Sequence, residues 1–239
     1  MSLTGILLYS FVAAASALIG TAVIFYLHEW AHRNSIFLIS FSAGVMLAIA
    51  FLDLIPEASE LYPQVWLMVF AGFLFLYILQ NTILVHPCHD QECKTHLGIL
   101  STAGLSIHSL LDGIIICVGF GAGTKLGLLT SLAIILHKIP DGITITGILT
   151  HSGASRKKIL WYSIMTAAFT PVGAVIAYFF LQGMTQNYLG ALLAITSGSF
   201  IYLAAADLLP EAHKVRHTGN AVSFFAGIGA VVLFGSLLH

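Results

Sequence analysis

Apolar residues in this chain gather into eight long runs, near 3–27, 35–56, 64–85, 97–121, 124–149, 159–182, 187–209 and 220–238. Each approaches or exceeds the roughly 20 residues an α-helix needs to cross a bilayer core. A helix satisfies its own backbone hydrogen bonds, which hydrocarbon cannot do for it, so runs of this length predict helix. The fourth and fifth runs meet at a short glycine-rich turn, Gly119 to Gly123, and are expected to pack as an antiparallel hairpin. The fold class expected is an all-α integral membrane protein, one domain over residues 1–239.

A second pattern overlies the first. Residues 40–60 and 194–214 share seven identities at a constant offset of 154, among them Asp53-Leu-Ile-Pro56-Glu57-Ala58 and Asp207-Leu-Leu-Pro210-Glu211-Ala212. Basic residues set the orientation. Seven of the nine lie after the odd-numbered runs: Arg33; Lys94; Arg156, Lys157 and Lys158; Lys214 and Arg216. Lys125 alone lies on the other side, and Lys138 is intramembrane. The positive-inside rule then puts the odd-numbered loops in the cytoplasm and both termini outside. With an even number of spans between them, the two repeats run in opposite directions. Inverted repeats, read here as three helices, a central hairpin and three helices, are a transporter signature with the substrate site near the midplane.

Composition agrees. The chain is 58% hydrophobic and 8% charged, with a mean hydropathy of +0.96, against about 25% charged residues in soluble domains. A net charge of −1 argues against nucleic-acid binding. The first run is too long, and lacks the basic start, for a cleavable signal peptide. Three cysteines, Cys88, Cys93 and Cys117, argue against a disulfide framework.

Against this apolar background the ionisable residues stand out, because each is costly in lipid unless partnered. His108-Ser-Leu-Leu-Asp112-Gly113 and His137-Lys138-Ile-Pro140-Asp141-Gly142 lie 29 positions apart, on the two arms of the hairpin. Residues i and i+4 share a helix face, so each arm presents one imidazole and one carboxylate in the same direction. His108, Asp112, His137 and Asp141 together suit zinc or another first-row divalent ion. Pro140 donates no hydrogen bond to the carbonyl of Leu136, which then needs another partner. Met46 is a candidate soft ligand.

The repeat assigns a path. Asp53 and Glu57 fall at the outer mouth, and Asp207, Glu211 and His213 at the cytoplasmic one. Two readings stand for Lys138: a local i,i+3 pair with Asp141, or a compensator of the carboxylate charge. The 86–96 stretch, cytoplasmic by the charge rule, carries His86, Cys88, His89, Cys93 and His96, a candidate metal-accepting tract.

Over essentially the whole chain these features resemble the ZIP (Zrt/Irt-like) family of divalent metal transporters. The resemblance rests on His-Ser-x-x-Asp-Gly in the fourth helix, His-Lys-x-Pro-Asp-Gly in the fifth, and the Pro-Glu-Ala ends of the second and seventh. It implies metal uptake into the cytoplasm across the cell membrane, zinc foremost, by alternating access, with no prosthetic group and no enzymatic activity. It also implies frequent homodimers. Ser109 and Lys138 follow the histidines, aspartates replace glutamates at 112 and 141, and Thr170 precedes Pro171 where an acid often stands. These departures argue against a second metal site.

A competing reading starts from His28-Glu29-Trp-Ala-His32, which matches His-Glu-x-x-His, with Asp112 as a distant third ligand. That is the pattern of an intramembrane zinc metalloprotease. It leaves the second hexapeptide and the repeat unexplained. A metal-free proton-coupled or signalling protein is the third class.

Overall fold

The computed structural model of this chain describes residues 3–84, 93–213 and 218–237. Regular structure among them is helical throughout: α1 (Leu3–Tyr26), α2 (His28–Ile49), π1 (Ala50–Leu54), α3 (Ile55–Leu61), α4 (Val65–Leu84), α5 (Cys93–Ala122), α6 (Thr124–His151), α7 (Arg156–Leu181), α8 (Gln186–Tyr202), π2 (Leu203–Leu208), α9 (Leu209–His213) and α10 (Thr218–Leu237). Two composite rods, α2–π1–α3 and α8–π2–α9, each form a single span. Eight stretches are then long and apolar enough to cross a membrane, two of them Asn34–Leu61 and Gln186–His213.

Those two spans outrun the sequence expectation, which ends them near residues 56 and 209. The reason is local. Pro56 and Pro210 cannot donate to the carbonyls four residues back. In each rod the turn just before the proline widens: Ile55 N–H bonds the carbonyl of Ala50, and Leu209 N–H bonds that of Ala204. These i→i−5 bonds absorb the missing donor and let the helix continue. The two π-turns are 154 residues apart, at the spacing of the sequence repeat. Ser155 caps α7, its side chain accepting from Lys158 N–H. Cys93 opens α5, so residues 93–96 belong to a helix rather than to the expected loop. The rest of that stretch, with His86, Cys88 and His89, lies outside the described residues.

The helices pack in two groups. One joins α1, α5, α6 and α7; the other joins α2, α3, α4, α8 and α10. Glycines hold each group together at backbone distance. A Cβ at Gly142 would land on the carbonyl oxygen of Ala17 and one at Gly20 on that of Ile139, so α1 and α6 touch backbone to backbone. Gly113 and Gly173 do the same for α5 and α7, against Thr170 and Leu110. In the second group Gly44 and Gly227 press α2 against α10, and Gly198 and Gly72 press α8 against α4. Such small-residue contacts are how helices associate where lipid offers no hydrophobic drive. Between the groups, α2 meets α6 and α5 meets α8 through side chains.

Replacing Gly198 with valine should destabilise the protein by about 1–3 kcal/mol, because the added carbons meet the Val69 carbonyl and backbone cannot yield cheaply. Gly229→Val, where nothing lies within 4 Å, is the control. Thermal midpoints in detergent should fall for the first and hold for the second.

Candidate metal centre

The hairpin arms α5 and α6 bring His108, Asp112, His137 and Asp141 together as i,i+4 spacing predicts. One potential ligand atom from each lies within 4.8 Å of every other. His137 Nε2 is 3.4 Å from Asp112 Oδ1, and His108 Nε2 is 3.5 Å from Asp112 Oδ2. His108 Nε2 lies 3.6 Å from Asp141 Oδ2, and His137 Nε2 lies 4.0 Å from the same oxygen. A tetrahedral zinc with bonds of about 2.0–2.2 Å holds its ligand atoms roughly 3.3–3.5 Å apart. These contacts approach that spacing, and the set as a whole, within 4.8 Å, would have to draw together to close on an ion.

Their chemistry suits ligation. Asp112 is fully buried and His137 is 2% exposed. Asp112 Oδ1, His137 Nε2 and Asp141 Oδ2 have no hydrogen-bond partner among the described residues. His137 Nδ1 faces the carbonyl of Ala133 at 3.0 Å. A carbonyl only accepts, so Nδ1 carries the proton and the Nε2 lone pair points inward, the usual arrangement behind a metal-binding histidine.

Lys138 completes the cluster, and its nearest carboxylate is not the one on its own helix. Nζ is 2.7 Å from Asp112 Oδ2, an ion pair off line for a hydrogen bond, and 3.6 Å from Asp141 Oδ2. It donates to Ser109 Oγ at 2.7 Å. The ammonium thus bridges both arms and both carboxylates, while Asp112 Oδ1 stays on the histidine side.

Pro140 leaves the Leu136 carbonyl without its helical donor, as expected from sequence. The partner is Ser42 Oγ of α2, at 3.2 Å across the boundary between helix groups. Sequence reasoning missed Ser42; one of two serines shortly before a glycine in an apolar run is a weak signal. It missed Gln80 as well, which lines the cavity below and accepts a hydrogen bond from Tyr202 Oη at 2.8 Å.

A cavity of about 710 Å³ reaches the cluster from one face. Its walls come from the start of α2 (Ser35, Ile39), the end of α4 (Gln80), the start of α5 (Gly104, Leu105), the end of α6 (Ile148) and the far rod (Ala206, Pro210, Glu211). His108, His137, Asp141 and Met46 form its blind end. Beyond them Ile49, Leu54, Ile116, Leu129 and Phe200 are buried in one apolar cluster that closes the opposite direction.

The predicted path residues divide accordingly. Glu211 lies on the cavity wall. His213 is exposed at the end of α9, its Nδ1 2.7 Å from the Leu209 carbonyl. Asp207 sits in π2, its side chain outside the described residues, as are those of His28, His32, Cys93 and His96. Asp53 lies on the closed side, 4.0 Å from Lys125, with half-buried Glu57 beyond it in α3. Thr170 is buried at the α5–α7 seam where its carbonyl meets Gly113.

Eight helical stretches able to span a membrane, with a His/Asp tetrad at the inner end of a cavity, are what a membrane protein that handles a divalent cation would carry. The family profile described as "ZIP Zinc transporter" matches residues 86–235. The chain is 30% identical to "Zinc transporter ZupT" of Chlorobium luteolum, with 95% of each chain covered. It is 28% identical to the protein of that name in Streptococcus mutans, over 77% of this chain and 79% of the relative. In Escherichia coli O7:K1 the corresponding figures are 28%, 90% and 89%. This chain belongs to the ZIP family: it is a divalent metal transporter of the membrane, not an enzyme. The protease reading finds no support, since Asp112, its supposed third ligand, is enclosed with His137 and Lys138.

Removing His137 takes away both a ligand nitrogen and its fixed orientation. Changing a supporting group alone costs roughly 10–100-fold in metal affinity. His137→Ala should therefore weaken zinc binding to the purified protein by about 100-fold or more, read by equilibrium titration against a competing chelator. A loss under threefold would show that the tetrad does not hold the ion.

Proposed function

We propose that the protein carries zinc or a closely related divalent cation into the cytoplasm by alternating access, through His108, Asp112, His137 and Asp141. The observation that carries this reading is the convergence of those four ligand atoms, all within 4.8 Å of one another, at the inner end of the cavity. The metal is cargo: no prosthetic group is invoked.

Direction rests on charge. The cavity opens where α2 and α5 begin and where α4, α6 and α9 end. The chain segments at those ends carry Arg33 in α2, Lys94 in α5, Arg156–Lys158 at the start of α7, and Lys214 and Arg216 after α9. By the positive-inside rule that face is cytoplasmic, and both termini lie outside. The cavity is then an exit, and the conformation described has its outer side shut. Metal enters past Asp53, sheds its water to the tetrad, and leaves along the wall that ends at Glu211, with Asp207 and His213 nearby; Met46 adds a thioether beside the path. The matched glycine contacts and π-turns support the inverted 3+2+3 arrangement, in which one helix group shifts against the other. The family's frequent dimers imply a homodimer here too, in the cell membrane.

Lys138 gives the centre a particular charge balance. Two aspartates and one ammonium sum to about −1 without metal, and a divalent ion brings the sum to about +1. The cost of placing charge in a low-dielectric interior rises with its square. Without the lysine those sums would be −2 and 0, and the return step with no cargo would bear the whole cost.

Zinc uptake into proteoliposomes tests the assignment. Wild-type protein should accumulate zinc, and His108→Ala should reduce the rate at least about tenfold, given what one ligand contributes. Acidification should weaken zinc binding, because an imidazole must lose its proton to ligate. Lys138→Asp should change metal stoichiometry or transport rate; if both hold at wild-type values, the charge balance is not set by Lys138.

A further inference from the structure

Among the described residues Lys125 is the one lysine or arginine on the face away from the cavity, and helix formation does not explain its place. It occupies the first turn of α6, where the helix dipole disfavours a cation. Its Nζ lies 4.0 Å from Asp53 Oδ1 in π1, with side-chain exposures of 31% and 13%. Lys125 belongs to the α1–α5–α6–α7 group and Asp53 to the other, so the pair straddles the boundary between two glycine-sealed units. Twelve residues, or about 18 Å of helix, separate Lys125 from His137. The apolar cluster of Ile49, Leu54, Leu129 and Phe200 fills the space between these ends.

The location has two consequences. A relative movement that separates the two groups at this face parts Lys125 from Asp53 and breaks the pair. The carboxylate that Lys125 holds is also the innermost acid on that side, since Glu57 and Glu60 lie farther out on α3. A divalent cation reaching Asp53 competes with the ammonium for the same oxygens.

We infer that the Asp53–Lys125 pair is a latch between the two helix groups: it holds this face closed while the cavity is open on the other, and an arriving cation releases it by taking Asp53. Lys125 is thus a positioning residue, setting how often the closed face opens. The latch rests on the alternating-access reading, yet it can be tested without transport or metal. Ser42 and the Leu136 carbonyl form a second polar contact across the boundary, at cavity depth, and the same movement would break it.

The readout is solvent access behind the closed face. Leu129, fully buried in the apolar cluster on that side, is changed to cysteine in protein carrying Cys88→Ser, Cys93→Ser and Cys117→Ala. The rate of reaction with a polar maleimide is followed in nanodiscs with chelator present. Lys125→Gln and Asp53→Asn should each speed labelling about threefold, because the minor state that opens this face rises in proportion when a part-exposed ion pair is lost. The reversed pair, Asp53→Lys with Lys125→Asp, should return the rate to that of the parent. Lys125→Arg, which keeps the charge, should label like the parent and guards against loss of fold. Equal rates in parent and Lys125→Gln would overturn the latch, as would a reversed pair no slower than either single change. Altered labelling without zinc uptake by the parent would leave the latch standing and remove the transport reading; uptake with unaltered labelling would do the opposite.

Discussion

Asp112 is a carboxylate with no access to water, and the structure is arranged around that fact. An isolated buried charge is among the most costly things a protein can contain, so it requires a cation. Lys138 supplies a resident one from the facing arm. It takes Oδ2 and leaves Oδ1 beside His137. The ammonium therefore stabilises the carboxylate without consuming its capacity to bind. A fully satisfied aspartate would be a structural ion pair and nothing more. A half-satisfied one, with a histidine nitrogen 3.4 Å away, keeps an oxygen and a nitrogen that a metal could use.

Backbone chemistry holds that arrangement in place. Pro140 removes a helical donor three residues after His137, and Ser42 meets the freed carbonyl from the other helix group. Pro56 and Pro210 remove donors near the ends of the two composite rods, and there the helix widens instead. The same covalent defect has two remedies. At the rod ends the repair is internal, so the rod stays one piece. At Pro140 it comes from the opposite group and makes the contact sensitive to their relative position. Glycine seams make each group stiff, because backbones touching at carbonyl distance cannot slide without colliding.

Much of this was legible in the sequence. Eight apolar runs gave the eight spans to within a few residues at most ends, because length and hydropathy are strong constraints in lipid. The tetrad followed from i,i+4 spacing on two arms joined by a turn too short for any other packing. Periodicity names a face, however, and not the neighbour that face meets. That is why Lys138 read equally well as a partner of Asp141, three residues on, when its closest carboxylate is Asp112 on the other arm. The two span ends were missed because a proline usually stops a helix, and only coordinates show the π-turn that lets it continue. The one-sided cavity was invisible for a further reason. A nearly symmetric repeat encodes two mouths, and which one stands open is a property of a conformation.

The asymmetry can nevertheless be traced to particular residues. The two Asp-x-x-Pro-Glu stretches are near copies set in different surroundings. Asp53 has a lysine from α6 within reach, and Glu211 lines the cavity. A repeat with identical ends would place its two states at equal free energy. An ammonium beside Asp53 favours closure at that end, by an amount small enough for an arriving divalent ion to overcome, since part-exposed ion pairs are weak. The resting preference of the molecule therefore need not come from its apolar core, which both ends share. It can be set by a single charge at the rim, and the barrier to reversing it stays within reach of the cargo itself.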